Sequence, residues 1–320
     1  MRVRMAQNIA WKDLISLPRY RNQQLYLDNT LRLLYTPGLI SSALASLLTP
    51  ASGFRTSLQK MNGQSYPHLI AQLYHQTDQP SAKLTFIAPS ALLDHPDFSR
   101  LLSYLSKQAG EMGAFQILAE VPRDQPASDT LFQAGFRPYA DQSIWKLPVF
   151  NGADREKCSS WCPISGVDKF KIDTLYQRAV PQKIQRVEPP RKTPELQGLV
   201  LLEGENLLGF ARTEIGPRGV LVDLILDPSL QVVDPQLKEL GRQLAMRGSR
   251  DVYLRVRSYQ SAVLSALDSI SARCGPSQTA VVKKLAVHYN ATQRVFGYRA
   301  FEKQPDITTP ISNLKTTDNL

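Results

Sequence analysis

Residues 84–147, LTFIAPSALLDHPDFSRLLSYLSKQAGEMGAFQILAEVPRDQPASDTLFQAGFRPYADQSIWKL, carry the pattern from which the rest of the chain is read. A short apolar run at 84–88 stops at Pro89. After a loop, Pro96 opens a helical pattern with Phe98, Leu101, Leu102, Leu105 and Ala109 on one face, and Gly110 and Gly113 end it. Phe115, Ile117, Ala119 and Val121 then alternate as one side of a strand. A second helical segment from Ala127 runs out at Gly135 and Phe136. The order is strand, loop, helix, strand, helix, strand.

The same order returns at 220–285. Pro228 follows Pro89 by 139 residues (228 less 89), and the same spacing separates Pro235 from Pro96, Leu237 from Phe98, Leu240 from Leu101 and Leu244 from Leu105. Five matched positions across one strand-to-helix element indicate a duplication, and the chain is read as two tandem copies of one α/β unit.

Composition agrees with two ordinary cores. Of 320 residues, 42% are hydrophobic and 21% charged, as in globular chains. No apolar run approaches the roughly 18 residues of a spanning helix, and the start, MRVRMAQN, lacks the apolar core of a signal peptide, so a cytoplasmic, non-membrane protein is expected. Cys158, Cys162 and Cys274 are too few and too scattered for a disulfide framework. Free thiols are expected rather than a metal site. The excess of 38 basic over 28 acidic residues, +10 in all, favours an anionic partner, for which RNA, an acidic protein and coenzyme phosphates all qualify.

In chain order, residues 1–60 read as helical patterns broken at Pro18, Pro37 and Pro50. Residues 68–74 read as a strand. The polar, turn-rich NGADREKCSSWCPISG is read as a linker at 151–164, between an N-terminal domain at 1–150 and a C-terminal one at 165–303. A helical pattern covers 168–180, and Arg186, Arg191 and Lys192 follow among prolines. Two strands at 199–202 and 207–215 form a hairpin ahead of the strand at 220–226. The polar tail at 304–320 is expected to be disordered.

This order, with ASDTLFQAGF at 127–136, resembles the GNAT superfamily of N-acetyltransferases, whose corresponding segment reads Asn-x-x-Ala-x-x-Leu-Tyr-x-x-x-Gly-Phe. The resemblance spans nearly the whole chain as two GNAT-like domains. Each is then expected to be a mixed, centrally antiparallel sheet flanked by helices, in the α/β (α+β) class. It also implies acetyl transfer from acetyl-CoA to an amine of a small molecule or protein. Fem-type aminoacyl transferases share the paired architecture.

In that family the coenzyme pyrophosphate rests on a glycine-rich loop at a helix N-terminus, where backbone N–H groups gather. The equivalent loops here, 90–97 and 229–236, hold no glycine, and each places an aspartate and a proline there. Asp94 or His95, and Asp234, are read as helix caps. The resemblance sets the coenzyme against Ala88 and Leu93 in the first copy, and against Leu226, Pro228, Gln231, Val232 and Val233 in the second. At the family's tyrosine acid stand Leu131 and Leu267. For a general base it implies a carboxylate on the central strands: Asp223, which interrupts an apolar strand, Glu214 or Glu120. At least one copy is expected to be catalytically degenerate, and the alternative is a non-catalytic module for an anionic partner.

Overall fold

The computed structural model describes residues 6–35, 39–61, 68–77, 79–123, 125–150, 161–164, 169–190, 197–246 and 251–285. The first copy supplies β1 (Gln7–Asn8), β2 (Leu25–Tyr26), β3 (Phe54–Lys60), β4 (His68–Tyr74), β5 (Ser81–Ala88), β6 (Gln116–Pro122) and β7 (Arg137–Lys146), with helices α1 (Leu39–Leu48), α2 (Asp97–Glu111) and α3 (Ala127–Gln133). The second supplies β8 (Trp161–Pro163), β9 (Gly198–Glu203), β10 (Asn206–Ile215), β11 (Gly219–Leu226), β12 (Asp251–Arg257), β13 (Arg273–Cys274) and β14 (Gln278–Lys284), with α4 (Lys169–Ala179), α5 (Gln182–Gln185), α6 (Asp234–Met246) and α7 (Ser261–Ser269). The repeated strand, helix, strand, helix, strand order is present in both copies.

The fourteen strands among the described residues belong to one sheet, a mixed layer flanked by helices, whose main path runs β1-β3-β4-β5-β6-β14-β7-β12-β11-β10-β9-β8. The copies have exchanged their last strands. β14, from the second copy, lies antiparallel between β6 and β7, with Ala280 opposite both Glu120 and Ala140. β7, from the first copy, adds antiparallel to β12, with Arg255 opposite Ile144. Both copies fall within one compact unit that runs to Val287.

Helix periodicity placed the cores well. On α2 the stripe Phe98, Leu101, Leu102, Leu105 and Ala109 is buried against the first copy's sheet, and Leu237, Leu240 and Leu244 do the same on α6. Each such leucine contributes roughly 1.5–3 kcal/mol by leaving water. Ile117, Ala119 and Val121 form the inward face of β6, but Phe115 stands before the strand and is 51% exposed.

Two expectations need correction. Residues 1–60 are not purely helical: the segment 25–26 is a strand paired with β5, and 54–60 is a full strand paired with β4. Helical spacing of apolar residues misled here because the same leucines and tyrosines serve a buried strand equally well. The linker read at 151–164 contains β8, which pairs with β9. Trp161 there is 2% exposed and donates its indole N–H to the Gln236 carbonyl at 3.0 Å. Tyr20, between the basic residues Arg19 and Arg21, is a core residue whose hydroxyl accepts the His68 amide at 3.0 Å. Arg191, Lys192, Cys158 and the tail from 304 lie outside the described residues, and no helix among those described is long and apolar enough to cross a membrane.

The exchange makes each half incomplete. A chain ending at residue 150 keeps β6 without its neighbour β14 and β7 without its partners β12, β13 and β14, exposing long unpaired edges. Such a chain should aggregate or lack cooperative unfolding when heated and followed by circular dichroism. Co-expression of 1–150 with 151–320 should recover a soluble, stoichiometric complex.

Candidate functional site

The candidate site follows from where parallel strands part. In the first copy β5 and β6 pair only from Ser81–Gln116 to Lys83–Leu118. Thr85 is an extra residue on β5 relative to β4, where the register shifts between Gln72 and Leu73, and such a bulge bends a strand away from its neighbour. The gap is not empty. The chain's own segment enters it: Leu27 N–H donates to the Thr85 carbonyl at 2.8 Å, and Glu120 N–H donates to the Leu27 carbonyl at 2.9 Å.

The second copy parts later and differently. β11 and β12 stay paired from Gly219–Asp251 to Asp223–Arg255, and β11 carries no bulge against β10. Beyond that point one side chain spans the strands. Gln260 donates to the Leu224 carbonyl at 2.7 Å and accepts the Arg257 N–H at 2.8 Å.

The loops that follow are held by different groups, although in the first the amides of Ala91, Leu93 and Asp94 also have no protein hydrogen bond among the described residues. After β5, Ser90 N–H donates to the Gln23 carbonyl, His95 N–H to Leu92 and Phe98 N–H to the His95 carbonyl, while the His95 ring takes the Asp97 N–H at 3.2 Å. His95 therefore caps α2 as its sequence position suggested. After β11, Asp227 is buried and accepts the Ser229 amide and hydroxyl and the Arg178 guanidinium. The amides of Gln231, Val232 and Val233 have no protein hydrogen bond among the described residues. Asp234 starts α6, with its carboxylate accepting the Ser269 hydroxyl.

Of the positions set against a coenzyme, Ala88, Leu93 and Val233 are core side chains that could offer only backbone. Leu226 ends β11 half-buried, whereas Pro228, Gln231 and Val232 are exposed. Leu131 and Leu267 are fully buried core residues.

The three carboxylates proposed as bases, Glu120 from the first copy and Glu214 and Asp223 from neighbouring strands of the second, come together on the sheet face that bears the odd-numbered residues of β11 and β12. Arg255, only 7% exposed, reaches Glu120 at 3.2 Å and Asp223 at 3.1 Å, and Arg212 also pairs with Asp223. Glu120 accepts the Asn29 N–H at 2.7 Å, and Glu214 accepts the Thr30 hydroxyl at 2.7 Å. Lys83 faces the buried Asp28 at 3.5 Å. Burial pushes Asp28 up, only partly countered by Lys83. Burial would raise Asp223 too, but Arg255 and Arg212 outweigh it and hold it well below the usual carboxylate range. For Glu214, Lys83 and Arg212 overcome burial and bring it down to about 2.

A second group, which the sequence reading missed, borders this one. Arg257 pairs with Glu188 at 2.6 Å and lies 5.8 Å over the Tyr139 ring, while the Tyr139 hydroxyl donates to the Glu188 carboxylate and Tyr176 to its carbonyl. Tyr259, beside them, is pushed up to about 12 by burial. A signal was present: in β12, Arg255 and Arg257 alternate with Val252, Leu254 and Val256, which marks a strand with one polar and one apolar face.

No family model matches the sequence, and no curated protein matches it. Solved structures do match. A GCN5-related N-acetyltransferase from Sphaerobacter thermophilus aligns with a TM-score of 0.54 at 12% identity, over 88% of this chain and 95% of that one. The chain has the fold of the GCN5-related N-acetyltransferases. A tandem GNAT protein from the clavulanic acid biosynthesis pathway aligns with a TM-score of 0.48 at 10% identity, over 87% and 98% of the two chains. An acetyltransferase of the GNAT family from Colwellia psychrerythraea gives 0.44 at 11%, over 87% and 99%.

Two outcomes follow from the paired charges. Replacing Arg255 with Met leaves Glu120 and Asp223 without their shared cation, and urea unfolding at pH 7 should show a loss of about 3–5 kcal/mol. Glu214 has its folded pKa lowered, so its contribution is present above its ordinary value of 4.5 and is lost as pH falls from there towards about 2. That window is worth on the order of 3 kcal/mol. Glu214→Gln should flatten the fall in stability between those limits, measured by thermal melts across acid pH.

Proposed function

We propose that the chain is a tandem GNAT-fold protein in which coenzyme chemistry, acyl transfer from acetyl-CoA to an amine, is confined to the second copy, while the first copy is catalytically degenerate. The observation that carries this reading is the asymmetry of the gaps. Backbone fills the first copy's gap, whereas a single glutamine side chain spans the second. The loops themselves do not differ in this respect, since among the described residues the amides of Ala91, Leu93 and Asp94 in the first and of Gln231, Val232 and Val233 in the second have no protein hydrogen bond. Moving Gln260 costs two hydrogen bonds, each worth about 1 kcal/mol net. Free amides at a helix entrance suit a pyrophosphate.

In this reading Asp223 and Glu214 orient the polar face rather than take a proton. Carboxylates held this far below neutrality are weak bases, and general-base efficiency is greatest when the base titrates near the working pH. In this reading the amine would reach the thioester carbonyl already neutral and attack it directly. As the C–S bond breaks, the proton lost from its nitrogen would pass to the departing thiolate, directly or through water, giving the amide and the free thiol without a covalent enzyme intermediate. Glu188, Arg257 and the neighbouring tyrosines form the adjacent wall.

A second reading, a non-catalytic module for an anionic partner, is favoured by one specific observation: Asp223 and Glu120 are both tied to Arg255. Arg186, which is exposed on the basic stretch after α4, would belong to that surface.

Calorimetry with acetyl-CoA separates the two. Asp234 and the proline beside it weaken the loop, so binding should be on the order of millimolar, about 4 kcal/mol. Asp234→Gly and Gln260→Ala should each tighten it several-fold. No heat from the parent or from either variant at millimolar coenzyme would leave the binding-module reading.

A further inference from the structure

In the first copy the occupant of the gap is itself informative. Residues 25–27 run antiparallel to β5, with Leu25 opposite Ile87 and Tyr26 opposite Phe86, and Leu27 completes a hydrogen-bonded step to β6 through Glu120. Upstream, the Gln23 carbonyl takes the Ser90 N–H at 2.8 Å. Leu25 and Leu27 are buried in the first copy's core. This is the geometry of a peptide added to an open strand edge, where main-chain bonds supply affinity and alternate side chains fill pockets.

The same segment does not stop there. The next three residues leave the gap and reach groups of both copies. Asn29 donates its amide N–H to Glu120, and its side chain exchanges two hydrogen bonds with Gln278 of β14, at 2.6 and 3.1 Å. Thr30 donates to Glu214 on β10, and its amide is held by Asp28 at 2.9 Å. A single π turn, Leu31–Tyr35, then packs on the β10–β11 turn: Arg218 N–H donates to the Leu34 carbonyl at 3.2 Å, and Leu34 is fully buried. Gly216 is needed there, because a Cβ would sit 2.6 Å from that of Leu34.

We propose that the first copy is a strand-binding slot whose ligand is built into the chain: residues 25–27 occupy the β5–β6 gap permanently, and thereby deliver Asn29 to Glu120 of the first copy, which pairs with Arg255, and Thr30 to Glu214 of the second. The first copy accordingly takes no small-molecule ligand. Its role is to fix one wall of the polar face. The inference deepens the functional reading above, but the slot itself rests on backbone geometry alone.

Native-state amide hydrogen exchange on the full chain without coenzyme tests the slot. The Leu27, Ser90 and Glu120 amides should exchange with the slow group of β6 and β14. Exchange at loop rates would overturn the proposal. Leu27→Pro removes the donor to Thr85 and should speed exchange at Glu120 and Ser90 by about tenfold or more, while β9 and β10 keep their protection. Unchanged protection at Glu120 in a folded Leu27→Pro chain would also overturn it. Should that variant not fold, a disulfide between Leu25→Cys and Ile87→Cys locks the segment in place. Oxidised and reduced forms should then match in Glu120 exchange and in acetyl-CoA affinity. Loss of coenzyme binding only on oxidation would mean that the segment must leave the gap, against the proposal. Because exchange is read without coenzyme, absence of coenzyme binding would count against the functional reading and leave the slot standing.

Discussion

The pairing of β14 with both β6 and β7 governs how the halves of the molecule relate. A strand hydrogen-bonded on both edges has no edge left to offer, so β6 is covered and the sheet of the first copy continues into that of the second through β14, β7 and β12. Antiparallel neighbours also fix which side chains share a face. Gln278, Gln142 and Arg257 are successive partners across β14, β7 and β12, and they form a polar row from one copy to the next.

Once the copies share a sheet, their charges share an environment. Arg255 is the clearest instance, with one guanidinium between Glu120 of the first copy and Asp223 of the second. A buried ion group of this kind adds little net stability over apolar packing, yet is costly to break, so it acts chiefly to fix register and orientation. The same arrangement leaves Asp223 and Glu214 poorly suited to proton abstraction, because the cations that keep them buried also keep them ionised.

The two copies illustrate how one scaffold can diverge through backbone detail. An extra residue at Thr85 bends β5 and makes room for a third strand, while the unbulged β11 follows β12 for longer and leaves a gap that one side chain spans. Either way the polar backbone groups exposed by strand separation find partners, as burial requires. The source of those partners differs, and with it the prospect of admitting a ligand.

The sequence by itself determined the repeated order of elements and the buried stripes of α2 and α6, because these depend on local periodicity and spacing. It also singled out Asp223, since a carboxylate in an apolar strand breaks the pattern. Only the tertiary structure decided that 25–27 is a strand, that Trp161 anchors an edge strand inside a polar stretch, and that Glu188 meets Arg257. Those depend on partners distant in sequence: Leu27 lies beside Glu120, and Asn29 beside Gln278. A single-chain pattern cannot distinguish two repeats that fold separately from two that trade their last strands, because β7 and β14 present the same alternation to either neighbour. The choice is made by which edge is open when the chain collapses, and that is a property of the assembled sheet.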